Sequence, residues 1–283
     1  MLFAFLSAIF AALTSIFAKI GIKDVDSNLA TALRTIVVLA MAWLMVLITG
    51  SFDGIGEISQ KTLLFLVLSG LATGASWICY FKAISLGDVN KVAPIDKSST
   101  ILTMVLAFIM LGEGFTPIAG VGMVIMFTGT MLMIERKDVE KKEERSSWLL
   151  YAVLSAVFAA LTSILGKVGI EGVDSNLGTA IRTCVVLVIA WMIVFMQGTW
   201  KQTKKIGVRN GGFLVLSGLA TGASWLCFYR ALQEGPASLV VPIDKLSILF
   251  TVLFAVLILR ERMSKRSWLG LTLLVIGTLM LLL

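Results

Sequence analysis

Six ionisable side chains stand inside otherwise apolar stretches: Arg34, Asp96 and Lys97, then Arg182, Asp244 and Lys245. The second three repeat the first at a spacing of 148 residues. A charged group at the centre of a bilayer costs roughly 2.5–3.5 kcal/mol unless it faces protein, water or a partner. Each set carries a net charge of plus one, so a cavity lined by both would favour an anionic or zwitterionic solute. Either aspartate could instead carry a coupling proton, because lost hydration disfavours the charged carboxylate. A competing assignment pairs Arg34 and Arg182 with Asp96 and Asp244, locking helices together without touching a solute. The chain has no His and no Walker loop, and Cys79, Cys184 and Cys227 lie in apolar runs without metal-ligand spacing. No metal or other cofactor is expected.

Other residues recur at the same interval. Trp77 and Trp225 fall in mid-span, where an indole either packs or lines a cavity. Tyr80 and Tyr229 are offset by one position between the copies, an asymmetry that could mark residues facing a solute. Gly70 and Gly74, and Gly218 and Gly222, have the small-xxx-small spacing that lets helices approach closely. The tetrapeptide Pro-Ile-Asp-Lys occurs at Pro94–Lys97 and at Pro242–Lys245. A proline in the first turn of a helix is the simpler account, and a broken helix at a binding site the other. Asp26 or Ser27, and Asp174 or Ser175, are placed to cap helices. Glu113 and Glu261 read as solvent-facing boundary residues, with a salt bridge as the alternative.

These residues need a frame. The 283 residues are 58% hydrophobic and 14% charged, with a mean hydropathy of +0.97, too apolar for a soluble domain. Ten candidate spans lie near 2–20, 28–49, 62–81, 92–111, 117–134, 149–167, 176–196, 211–229, 240–259 and 267–283. The first lacks a basic leader and a cleavage site and reads as a retained span. The expected fold is an all-α integral membrane protein of ten transmembrane helices in two inverted five-helix repeats, 1–135 and 149–283, joined by a charged linker over 136–148. Seventeen lysines and arginines fall in loops on one side, against Lys61, Lys167 and Arg230 on the other. The positive-inside rule then puts the linker in the cytosol and both termini outside. An odd number of spans turns the second unit over, and loop charges shift accordingly between the halves. Inverted repeats suit alternating access, with one half's arrangement opening a central cavity outward and the exchanged one opening it inward.

With these motifs in place, the chain resembles the EamA-domain branch of the drug/metabolite transporter superfamily over almost its whole length. The resemblance rests on the paired units, the glycine-rich third span followed by Ala83–Ile84 or Ala231–Leu232, and the fourth span. That span holds Pro94 and Leu111-Gly112-Glu113 in one half, and Pro242 and Leu259-Arg260-Glu261 in the other, where Arg260 replaces the glycine. It implies a basket of ten helices around a cavity lined by spans 1, 3, 4, 6, 8 and 9, and a structural role for the Gly-Glu step. Relatives of this kind usually keep both termini in the cytoplasm, opposite to the charge count, which rests on this chain and is retained. The expected function is secondary active transport in the plasma membrane, export or exchange of a small polar metabolite such as an amino acid or organic anion. The alternative is an integral-membrane enzyme or a channel. Expected partners are the solute, membrane lipid and a coupling proton, with no nucleic acid; a monomer suffices, since both halves are on one chain.

Overall fold

A computed structural model describes residues 1–21, 25–86, 92, 95–133, 147–257 and 264–282. Pro94, Glu261 and the linker up to residue 146 lie outside the described residues. The first half contains α1 (Leu2–Gly21), α2 (Ser27–Ile48), α3 (Gln60–Leu86), α4 (Ser99–Met110) and α5 (Pro117–Met133). The second contains α6 (Trp148–Ile170), α7 (Ser175–Gln197), α8 (Val208–Glu234), α9 (Ala237–Lys245), α10 (Ser247–Leu257) and α11 (Lys265–Met280).

Among the described residues, six segments are long and apolar enough to cross a bilayer: α2, Gln60–Ala83 of α3, α6, α7, α8, and Ala237–Phe254 across α9 and α10. Leu2–Ala18 and Pro117–Met133 are apolar but shorter. The chain is therefore an all-α multi-pass membrane protein. Its surface agrees: Ile109, Val124 and Val188 are 66–75% exposed, while Ala4, Ala8, Ala12, Ala30, Ala32 and Ala156 are buried. Many alanines thus sit against neighbouring helices, the arrangement that brings membrane helices close.

Local chemistry sets the helix ends. The Asp26 carboxylate accepts from the Asn28 and Leu29 N–H groups at 3.0 Å and starts α2. Asp174 does the same for Asn176 and Leu177 at α7. Both helices turn out through a left-handed glycine, Gly50 (φ 67°) and Gly198 (φ 70°), into short 3-10 segments at Ser51–Glu57 and Thr199–Lys205. The fourth span departs from the simple expectation. Pro242 sits inside α9, not in its first turn, so the Ser238 carbonyl loses its helical donor. Four residues after Pro242 the helix breaks, at Leu246, whose N–H turns back to the Ile243 carbonyl (2.9 Å). Ser98 makes the equivalent tight turn onto Ile95 (3.1 Å).

The most extensive helix contacts all join one half to the other: α3 with α6, α1 with α8, α5 with α11 and α2 with α7. The partners run antiparallel. Ser7 meets Ser224 while Thr14 meets Thr221, and Ser76 meets Ser155 while Thr73 meets Thr162. Asn28, early in α2, donates to Gln197 at the end of α7 (2.7 Å). At the α5–α11 crossing the backbones touch: a Cβ on Gly129 would lie 2.5 Å from the Gly270 carbonyl oxygen and the Leu274 nitrogen. Several residues counted as loop charges lie inside helices instead, among them Lys61 and Lys82 in α3, Lys167 in α6, and Arg209 and Arg230 in α8, because these helices outrun their apolar cores.

Candidate functional site

Two clusters of hydroxyls and one carboxylate tie the halves together. Ser7 of α1 donates to Asp244 Oδ1 of α9 (2.6 Å), with Ser224 of α8 3.2 Å from the Ser7 oxygen. Ser155 of α6 donates to Asp96 Oδ1 (2.9 Å), with Ser76 of α3 beside it at 3.4 Å. Every member of one cluster is 148 residues from its counterpart. Each aspartate thus rests on a serine of the opposite half, which satisfies a carboxylate that would otherwise be stranded between helices.

The arginines do not pair with these aspartates. Arg34 Nη2 donates to Thr221 Oγ1 of α8 (3.1 Å), which itself lies 3.2 Å from Thr14 Oγ1 of α1. Arg182 donates from Nε to Ser69 (2.9 Å) and from Nη2 to Thr73 (2.5 Å), both on α3. Hydroxyls replace the carboxylates because serine and threonine recur on the helix faces that the arginines reach, whereas the aspartates are engaged elsewhere. The duplicated arginines end in different surroundings. Arg182 is only 2% exposed, with the rings of Trp225 and Tyr229 centred 5.2 and 4.9 Å from its guanidinium carbon. Arg34 opens on a pocket of about 230 Å³ lined by Asn28, Thr31, Trp77, Phe81, Ala190 and Ile193. Its Nε is buried and has no hydrogen-bond partner among the described residues. A neighbouring pocket of about 420 Å³ shares Phe81 and Ile193 and adds Tyr151 and Met196.

The remaining expected site residues separate. Lys97 and Lys245 flank a crevice with Thr100 and Thr130, about 10 Å³, room for one water. They stand apart from the Arg34 pocket. Asp96 and Lys97 have different neighbours, as adjacent residues on a helix must. Trp77 lines the Arg34 pocket, and Trp225 and Tyr229 cover Arg182. Tyr80 turns away, its ring against Phe81 (5.9 Å) and near Ala83 and Ala152, so Phe81 takes the place in the pocket. The pocket is bounded by α2, α3 and α7; of the expected lining spans 1, 3, 4, 6, 8 and 9 it takes residues from span 3, here α3, while the polar faces of α1, α6 and α8 are spent on the hydroxyl clusters. Gly70 and Gly74 lie against Val185 and Ile189 of α7, and Gly218 and Gly222 against Val37 and Met41 of α2. A Cβ on Gly70 would come within 2.8 Å of Val185 and one on Gly218 within 2.7 Å of Val37.

Glu113 is half-buried, and its carboxylate meets backbone N–H groups; among the described residues it forms no salt bridge. Gly112 (φ 66°) turns the chain after α4, and the Glu113 carboxylate accepts from the Ala237 and Ser238 N–H groups at 2.6 and 2.7 Å. It caps α9, the orphan donors and dipole of that helix end being suited to an anion. On the other side of the same turn, Lys167 Nζ donates to the Leu232 and Gly235 carbonyls at 2.5 and 2.6 Å. One acid and one base thus clamp the α8–α9 turn. Glu113 and the duplicated serines and threonines were visible in the sequence only as members of the repeat; their partners were not.

The comparisons with known proteins agree with this architecture. The model of the EamA-like transporter family matches residues 1–135 and 146–283. An uncharacterized transporter in the cobO 3' region of Sinorhizobium sp is 47% identical over 135 residues, 48% of this chain and 96% of that protein. Solute carrier family 35 member G1 of Homo sapiens is 26% identical over 267 residues, 91% of this chain and 71% of that protein. A solved crystal structure superposes with a TM-score of 0.79 over 98% of this chain and 94% of the other at 17% identity, a likeness of fold. With family matches over both halves, the chain belongs to the EamA-like transporter family.

Proposed function

We infer that the protein is a secondary active transporter, an exporter or exchanger, that carries a small polar metabolite such as an amino acid or organic anion by alternating access. The units are two inverted five-helix repeats, 1–135 and 149–283, with 136–148 as the link. Antiparallel packing of α2 on its counterpart α7, and of α5 on its counterpart α11, supports the inversion. The Sinorhizobium relative, whose length is essentially one unit, supports the division into units. The observation that carries the reading is the Arg34 pocket, a space of solute size with a buried guanidinium nitrogen left unpartnered. Arg34 would hold an anionic group of the solute, with Trp77 and Phe81 against its body. Asp96 and Asp244 are the residues available for proton coupling.

Uptake into proteoliposomes, scanned across labelled amino acids, organic anions and organic cations with imposed pH gradients, tests this directly. Transport of an anion or zwitterion is expected, and R34Q should raise its KM by about ten- to a hundredfold, the worth of a charged hydrogen bond at about 1.5–3 kcal/mol. Movement of cations alone refutes the anionic assignment. Conversion of a compound without vectorial movement favours the enzyme alternative. Unchanged pH-driven uptake in the D96N/D244N double variant rejects proton coupling through these carboxyls.

A further inference from the structure

The lining of the Arg34 pocket has a counterpart 148 residues along the chain. Asn28, Thr31, Arg34 and Trp77 correspond to Asn176, Thr179, Arg182 and Trp225, identical in type. Ala190 corresponds to Ala42. Only two lining positions change, Phe81 to Tyr229 and Ile193 to Met45. The chain therefore carries the parts of two pockets of nearly one chemistry.

One is open and the other is filled by its own side chains. Thr179 has no exposed surface, and Arg182 and Tyr229 are each 2% exposed. The Trp225 and Tyr229 rings stand against the Arg182 guanidinium, whereas their counterparts Trp77 and Phe81 line open space with Arg34. Arg182 Nη1 is nevertheless buried without a hydrogen-bond partner among the described residues. A wholly structural arginine at this depth would be expected to have all its N–H groups satisfied. Helix packing follows the same division. In the second half α8 lies against α6 and α7. Among the described residues α3 forms no comparable contact with α1 or α2 in the first half. The two pockets sit toward opposite ends of the α2–α7 pair, since those helices run antiparallel.

We propose that Asn176, Thr179, Arg182, Trp225 and Tyr229 form a second binding pocket for a small oxyanion-bearing solute, opening on the opposite face of the membrane from the Arg34 pocket. It opens when α8 leaves α6 and α7 and α3 takes up the equivalent contacts with α1 and α2. The two arginines then hold the anion in turn, one in each facing state. This rests on the alternating-access reading above and adds to it which residues serve each face. The pockets are not equal: Tyr229 offers a hydroxyl where Phe81 offers none, so the second pocket holds an oxyanion through one more donor. A difference at that single position biases the solute toward one side without altering the frame.

The inference is tested without knowing the solute. The probe is the membrane-impermeant anionic thiol reagent 2-sulfonatoethyl methanethiosulfonate, applied to T31C and T179C in sealed right-side-out and inside-out vesicles. Rates are corrected for labelling of Cys79, Cys184 and Cys227 in the unsubstituted protein. T31C should react from one face and T179C from the other. R34Q should slow the first by about tenfold and R182Q the second, by loss of local attraction for the sulfonate. F81C and Y229C provide the same comparison should either threonine variant fail to fold. Labelling of both positions from the same face overturns the proposal, as does T179C and Y229C remaining unreactive from both faces. The labelling requires no transport, so a protein that moves no solute in proteoliposomes but labels as expected refutes the transport reading and not the two pockets.

Discussion

Replacing Glu113 by alanine should loosen the first turn of α9. The carboxylate accepts from the Ala237 and Ser238 N–H groups, and no residue beside it can take over both. Loss of a side-chain cap costs about 0.5–2 kcal/mol, and loss of an anion at a helix N-terminus about 0.3–1 kcal/mol more. A total near 2 kcal/mol corresponds to about a thirtyfold change in a local opening equilibrium. Hydrogen exchange read by mass spectrometry on peptides spanning 236–240, in nanodiscs, should therefore show these amides exchanging about thirtyfold faster in E113A. E113Q keeps an acceptor oxygen but loses the charge and one of the two bonds, and should fall between, at about fivefold. Equal protection in wild type and E113A would show that the contact does not hold the helix end. Equal exchange in E113Q and E113A would show that charge and geometry do not matter separately.

Other changes test other joints. K167M removes the ammonium from the Leu232 and Gly235 carbonyls and should lower stability by about 1–3 kcal/mol, read as the midpoint of chemical unfolding; an unchanged midpoint would count against the clamp. G129V puts methyl groups where the Gly270 and Leu274 backbones lie, so the monodisperse yield in detergent should fall severalfold; a wild-type yield would mean that α5 and α11 can separate cheaply.

Much of the frame was legible because the duplicated unit repeats its polar residues at one interval. A charged or hydroxyl group at helical spacing in an apolar run advertises itself, and Arg34, Arg182, Asp96 and Asp244 were all identifiable this way. What they touch was not. Arg34 finds Thr221, and Arg182 finds Ser69 and Thr73, across a boundary that sequence order hides. Tyr80 and Phe81 differ by one step, about 100° around the helix, which is enough to send one toward Ala152 and the other into the pocket. Glu113 meets backbone N–H groups, which no residue type can signal. Nor could two nearly identical segments announce which would be open, since that depends on how α3 and α8 lean.

The hydroxyl clusters have a consequence for synthesis. Ser76 and Asp96 belong to the first half but are satisfied by Ser155, and Ser7 waits for Ser224 and Asp244. While the ribosome is still making α6, the helices already inserted hold unpaired polar groups in lipid. The first half has no settled core until the second is delivered into it, so the final fold can close only after α9 has entered the bilayer. Two fragments cut within the linker should accordingly assemble when produced together, while either alone becomes a substrate for membrane quality control.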